Sequence, residues 1–348
     1  MHIPENYLSP ASCAVMGAAM IPVWVHAVRK TNRTLPKEKL PLLGAGAAFS
    51  FLSMMFNVPL PGGTTGHAVG GTLIALLFGP DAACLAVSVA LLLQAVIFGD
   101  GGILAFGANC FNMAFVLPYL GYAVYRLMVR LFGGEKAGTG ARCAAAAIGS
   151  YIGLNVAALC AAVEFGLQPM LFRDAAGNAL YCPYDLRVAI PAMMIPHLAV
   201  AGLVEAAFTV AVFALVRKTA PELTYGQLKS QPEKSGKKHL IPIFALIAVL
   251  IAATPLGLLA TGTAWGEWGA DEIAEVVVNG KALGYTPAGL EKGWSLKVPM
   301  PDYSLGGVNE VLAYILSAVI GVALLIILFK LISIPMKGRD SKARSPPG

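Results

Sequence analysis

The stretch N-E-V-L-A-Y-I-L-S-A-V-I-G-V-A-L-L-I-I-L-F-K-L-I-S, residues 309–333, decides the class of fold. Between Glu310 and Lys330 it carries no charge. As a helix it is long enough to cross a bilayer, which takes about 20 apolar residues. Working outward, further apolar runs occupy about 9–28, 40–56, 66–80, 82–98, 104–130, 140–165, 187–216 and 240–261. With 57% hydrophobic and 13% charged residues, the chain has too little polar surface for a soluble protein of buried helices. The expected fold is therefore all-α, a polytopic membrane bundle of about nine transmembrane helices. No basic region precedes the first apolar run, so Met1 is expected to be the mature start.

Basic residues orient such a bundle, because short cytoplasmic loops collect Lys and Arg. If the spans alternate, one face receives Arg29, Lys30 and Arg33, then Arg126 and Arg130, then Arg217 and Lys218, then the basic tail from Lys330. The opposite face holds only Arg173, Arg187, Lys281, Lys292 and Lys297. This places the amino terminus outside and the carboxyl terminus inside. The net charge of +6 then faces anionic lipid or an acidic partner, and nothing supplies the aromatic-interleaved basic face of a nucleic-acid binder. The six cysteines contain no CxxC pair and read as small buried residues, not as a disulfide or zinc framework.

Three regions follow from the pattern: a seven-helix membrane domain over 1–218, a polar cytoplasmic linker over 219–238 containing Pro221 and Pro232, and an accessory domain over 239–348. The last has two helices and an outer loop, 262–308, whose acidic residues Glu267, Asp271, Glu272 and Glu275 read as a solvated surface more readily than as a metal-capturing one.

Chemistry concentrates at the start, Met1-His2-Ile3-Pro4. A free amine, the His2 amide and the His2 imidazole can close two chelate rings on one ion, and His67, in P-G-G-T-T-G-H (61–67), can add a fourth nitrogen. All-nitrogen planar ligation suits Ni(II) or Cu(II) and not Mg or Ca. Residues 57–66 read either as backbone dipping inward from the outer face, carrying His67 to the start of a helix, or as a glycine-packed turn. His197 and Glu205 are a possible intramembrane functional pair, or a satisfied core pair. Eight residues apart, or about 12 Å along a helix, they are too distant to share one ion. Asp100, in F-G-D-G-G, reads as a turn residue before an ion-guiding one. His26 and His239 read as bland, and Ala14 with Ala18 offers a small-residue docking face for a membrane partner. The chain has no GxxxxGK[ST] and no HExxH, so it carries neither a phosphate-binding loop nor that protease signature and is not expected to be an enzyme. A stand-alone permease, the alternative to a pump subunit, would normally place paired ionisable groups at the midplane.

MHIPENYLSP (1–10), PGGTTGHAVGGTLIALLFGP (61–80), QAVIFGDGGILAFGANCFNMAF (94–115) and IPHLAVAGLVEA (195–206) closely resemble the CbiM/NikM family, the substrate-binding membrane component of nickel and cobalt energy-coupling-factor transporters. TPLGLLATGTAWGEW (254–268), TPAGLE (286–291) and PDY (301–303) resemble that family's small accessory component, here fused. Two departures stand out: Ala288 where the accessory piece usually has Asp in PDGLE, and ENY near the start where nickel members commonly have DGY. The resemblance implies that the Met1 amine, the His2 amide and ring, and the His67 ring hold the ion near the outer face. Thr64, Thr65, Gln94, Asn109 and Asn112 are then possible orienting neighbours. It further implies a membrane coupling subunit and two ATP-binding subunits as partners, a prokaryotic plasma membrane, and no organic cofactor. Ni(II) is preferred to Co(II) as substrate because a planar nitrogen set suits a d8 ion. Capture is expected to weaken as pH falls, since the donors must lose protons.

Overall fold

The computed structural model describes residues 1–60, 64–225, 240–260, 262–278 and 280–343, with side chains described to residue 333. Ser9 opens the first helix, α1 (Pro10–Thr34), by accepting from Ser12 N at 3.0 Å, with Pro10 in the position where a missing N–H costs nothing. The almost wholly buried α2 (Leu40–Met55) follows, then a ribbon of β1 (Val58–Leu60) and β2 (Thr64–Gly66) paired antiparallel. Next come α3 (Gly71–Phe78) and α4 (Pro80–Leu93), the latter winding on as a π segment over Gln94–Phe98. The short α5 (Phe106–Asn109) passes through a π segment, Cys110–Val116, into α6 (Leu117–Leu131). After α7 (Thr139–Leu171), α8 (Leu186–Pro196) joins α9 (Gly202–Thr219) through a third π segment, His197–Ala201. The C-terminal half contributes α10 (Ile241–Ala253), the ribbon β3 (Val277–Val278) with β4 (Lys281–Ala282), α11 (Ala288–Lys292) and the long α12 (Glu310–Ala343).

Each of the nine apolar runs is largely helical, and the chain is a helical membrane protein. Six helical stretches among the described residues are long and apolar enough to cross a bilayer: Pro10–Thr34, Pro80–Phe98, Thr139–Leu171, Leu186–Thr219, Ile241–Leu259 and Glu310–Ser333. The second, third and fifth expected crossings fall short of that standard. Leu40–Met55 has 16 residues, and Gly71–Phe78 has eight, about 12 Å of helix. The fifth run, helical from Phe106 to Leu131, is long enough but, with Asn109, Asn112, Arg126 and Arg130 in it, not apolar enough. His67 does not open a helix, as the sequence suggested; it lies in the extended stretch between β2 and α3. The first residues of the expected linker pack back on the bundle, with Leu223 buried and Tyr225 N donating to Leu76 O at 3.0 Å. The rest of that linker, and His239, lie outside the described residues.

Small residues let the helices approach closely where lipid offers no hydrophobic drive to association. A Cβ on Gly149 of α7 would stand 2.5 Å from the Gly121 carbonyl of α6. The two halves meet in the same way, because a Cβ on Gly44 of α2 would stand 2.9 Å from Cβ of Phe329 on α12. Tyr314 of α12 also donates to the Met55 carbonyl that ends α2, at 2.8 Å. We expect Gly149→Ala to lower the thermal midpoint of the detergent-purified chain, at a cost of about 1–3 kcal/mol from overpacking. Gly140→Ala, with open space around its added methyl, should leave that midpoint unchanged.

Candidate functional site

The amino terminus does not trail into solvent. Met1, His2 and Ile3 are buried, and the Ile3 backbone is bracketed on both sides. Asn109 Oδ1 accepts from Ile3 N at 2.8 Å, while Asn109 Nδ2 and Gly102 N donate to Ile3 O at 3.0 and 2.8 Å. Glu5 accepts from Ile103 N at 2.8 Å. The approach requires glycine at 102, where a Cβ would stand 2.7 Å from Glu5 N. Asn6, in the left-handed region at φ 63°, turns the chain toward α1, a conformation its short polar side chain tolerates.

This docking sets His2 against His67. His67 Nδ1 faces the Ala68 carbonyl at 3.2 Å and so must carry the hydrogen, leaving Nε2 bare. That bare nitrogen faces His2 Nδ1 at 3.2 Å, with ring centroids 4.8 Å apart. Burial, with the Met1 ammonium adding to it, pushes His2 down to about 3 against the opposing pull of Gln94, and holds His67 well below its ordinary value for the same two reasons. Both rings are neutral at physiological pH. The His67 segment is held in turn by Glu205 of α9, which is fully buried. Its carboxylate accepts from Val69 N at 2.7 Å and from Gly70 N at 3.0 Å, just where Gly70 takes φ 72° to open α3.

Two carboxylates complete the surroundings. Asp100 Oδ1 lies 3.1 Å from His2 Nδ1, and Glu267 Oε1 lies 3.5 Å from the Met1 ammonium. Burial pushes Glu267 up to about 7, although the ammonium pulls it the other way. Glu267 therefore belongs to the site, whereas Asp271, Glu272 and Glu275 are exposed as expected. Asp100 is likewise more than a turn residue. The signal for both was the aromatic or glycine setting, F-G-D-G-G and W-G-E-W, which differs from that of an ordinary solvated loop. Tyr303 was missed entirely: its hydroxyl donates to Asp100 Oδ2 at 2.5 Å and accepts from Gln94 Nε2 at 2.9 Å.

Of the five proposed orienting neighbours, Gln94 and Asn109 stand at the cluster, but none of the five hydrogen-bonds the His67 ring. Thr64 accepts from Trp265 N at 2.7 Å, tying β2 to the outer loop, and Thr65 lines a small cavity with Met1, His197 and Trp265. Asn112 turns away to Glu164, at 2.8 Å. His197 and Glu205 do not meet: His197 Nδ1 bonds its own helix at Met193 O, 2.7 Å away. His26 stands at the other end of α1, 3.3 Å from Asp81, and takes no part. Among the described residues no group of three or more His, Cys, Asp or Glu side chains forms a metal cage. Besides the two rings, the Asp100 carboxylate, 3.1 Å from His2 Nδ1, stands within reach of an ion held there.

The fold and site define a class: a helical membrane protein whose own amino terminus is buried beside two facing neutral imidazoles. Residues 2–223 match the CbiM family, described as the cobalt uptake substrate-specific transmembrane region, and residues 238–337 match the PDGLE domain. The chain is 48% identical over 332 residues to a probable fused nickel transport protein, LarMN, of Lactiplantibacillus plantarum, covering 95% of this chain and 97% of that one. It is also 48% identical over 339 residues to the fused nickel transport protein NikMN of Rhodobacter capsulatus, covering 94% and 95%. A crystal structure of a truncated transition metal transporter superposes with a TM-score of 0.59 at 55% identity, covering 63% of this chain and 99% of that one. The chain belongs to the CbiM family and carries the accessory component fused at its carboxyl end.

Glu205→Ala would leave the buried Val69 and Gly70 N–H groups unsatisfied, at about 1–3 kcal/mol each. We expect faster hydrogen exchange at those two amides and a lower thermal midpoint. Glu205→Gln, which keeps one acceptor, should lose less.

Proposed function

We propose that this chain is the metal-binding subunit of an ATP-driven importer of divalent transition metal ions, with Ni(II) preferred and Co(II) next. The ion is held by four nitrogens: the Met1 amine, the His2 amide, His2 Nδ1 and His67 Nε2. The observation that carries the reading is which ring nitrogen of His2 faces His67. Chelation from the terminal amine through the His2 amide closes its second ring only comfortably through Nδ1, and Nδ1 is the atom 3.2 Å from His67 Nε2. Two nitrogens bonded at about 2 Å to one ion fall in that range of separation. The neutral state of both rings supports it, because imidazole ligates unprotonated.

Capture proceeds on the outer side, with the amino terminus outside, nine crossings and the carboxyl terminus inside. The membrane is the prokaryotic plasma membrane. The chain resolves into the metal-binding domain 1–218, the linker 219–238 and the accessory domain 239–348. It has no nucleotide-binding loop of its own. Inward delivery therefore rests on a membrane coupling subunit and two ATP-binding subunits, and no organic cofactor takes part. Copper would bind such a donor set more tightly than nickel, so selectivity in the cell leans on which ion is available. The names of the fused relatives favour nickel.

One residue added before Met1, or His67→Ala, should abolish tight Ni(II) binding measured by calorimetry on the purified chain. Undiminished affinity in the extended protein would remove the amine from the donor set. In vesicles, Ni(II) uptake should require the ATP-binding and coupling subunits; robust uptake by this chain alone would favour a stand-alone permease.

A further inference from the structure

Far from the two imidazoles, the basic end of the bundle carries an unfilled crevice. α10 packs on α2 and α12 and leaves a gap toward α9. The floor of that gap is the buried Leu42 and Phe49 of α2 with Ile74 of α3. Its walls are Val212 and Leu215 of α9 and Ile243 of α10, all half-buried. Beside the walls, Ala211 and Phe244 are exposed, so the gap opens sideways toward lipid. It holds about 570 Å3 of empty space, the open mouth included, and every side chain lining it is apolar.

Size and charge select the guest. From Leu42 to Phe49 the crevice follows about 10 Å of α2, at 1.5 Å per residue. A helix about 10 Å thick laid along that length would take about 800 Å3, more than the space present, whereas a hydrocarbon chain is far slimmer. Residues 226–239 hold only Leu228 and Pro232 as apolar side chains, so the linker supplies no occupant of matching chemistry. The rim is basic. Lys39 stands three residues before Leu42, and Lys218 three residues after Leu215, each one helical turn from the lining. Among the described residues neither lysine is paired with a carboxylate. Arg217, its guanidinium 5.8 Å from the centre of the Phe213 ring, adds to the positive charge of that end.

We propose that this crevice binds an anionic phospholipid, with one acyl chain between α9 and α10 and the phosphate held by Lys39 and Lys218. The chain fills apolar space that direct packing of the two halves leaves open, and the phosphate gives both lysines a counter-charge. A basic pocket between transmembrane helices is a recurrent way of holding such a headgroup. Each lysine beside it contributes about fivefold in affinity. A zwitterionic lipid offers the same chain without the net charge, so it keeps the apolar contact and loses the rim. In the orientation proposed above the basic end is cytoplasmic, and the lipid comes from the inner leaflet. The site itself does not depend on the metal reading.

Native mass spectrometry tests this on the detergent-purified full chain, titrated with phosphatidylglycerol or with phosphatidylcholine of the same acyl chains. One phosphatidylglycerol should be retained per chain, and phosphatidylcholine should bind about 25-fold more weakly, a factor of about five for each lysine. Lys39→Gln combined with Lys218→Gln should bring phosphatidylglycerol down to that level. Lys292→Gln combined with Lys297→Gln, in the outer loop, should change nothing. Val212→Trp fills the crevice and should abolish retention of both lipids; Ile243→Trp, filling it from the other wall, replaces that variant should it not fold. Equal retention of the two lipids by the wild-type chain overturns the proposal. So does undiminished phosphatidylglycerol binding in a folded, crevice-filled variant, which puts the lipid on the basic surface alone. A dimer that the same variant dissociates, with no lipid retained, assigns the crevice to a second copy of the chain and also overturns it.

Discussion

The site exists because a main-chain segment is received as though it were an extra strand. Ile3 is the residue that fixes the register: with its N–H and its carbonyl both satisfied by Asn109 and Gly102, the two residues before it have no latitude. Loose chain ends usually fray because little ties them down. Here the bracket works with the burial of Ile3 and of Tyr7, whose carbonyl accepts from Cys182 N and whose hydroxyl donates to Trp268 O. These bonds hold the terminus to three separate parts of the chain: α5 with the loop before it, the loop before α8 and the outer loop of the C-terminal half. The amine and imidazole of the first two residues thereby become as well placed as side chains on a helix.

The same contacts bear on what the fused half does in the structure. Its helix α12 packs on α2, and its outer loop closes over the terminus. Trp265 bonds Thr64, Glu267 meets the Met1 ammonium, and Tyr303 reaches Gln94 and Asp100. Trp265, Trp268, Tyr184 and Phe165 form a continuous aromatic layer between the halves. A low-dielectric cover of this kind keeps the two imidazoles neutral and strengthens every polar contact beneath it. The acidic loop read from sequence as solvated is thus divided, with Glu267 turned inward and the other three carboxylates left outside.

Much of this is legible in the sequence itself. Composition and run length gave the helical membrane class, and the chelating potential of Met1-His2 together with His67 picked out residues the fold does bring together. What was lost lay where tertiary packing overrides local pattern. Run length could not show how short α3 is, because a helix buried in protein on every side is as apolar as one in lipid. Asp100 carried a turn signal that was correct locally and silent about its neighbours. Tyr303 lies 203 positions from Asp100, and no spacing rule joins residues so far apart. Asn112 failed for the opposite reason: near Asn109 in sequence, it points from a π segment toward Glu164 and away from the site.

Departures from regular backbone gather around the two imidazoles. The π segments begin at Gln94, just after Asn109, and at His197, whose ring shares a cavity lining with Met1. Gly70 opens α3 from the left-handed region under the hold of Glu205, and Asn6, Asp302 and Tyr303 are the non-glycine residues with positive φ among the described residues. A π segment re-aims the side chains that follow it by inserting one residue into a turn, and it is seldom retained without a use. Each left-handed non-glycine residue costs of order 1–3 kcal/mol. In a fold whose net stability is typically about 5–15 kcal/mol, such costs concentrate where geometry is demanded. The distribution of irregularity therefore argues, independently of any donor count, that the position of the His2 and His67 rings is what this architecture is shaped to secure.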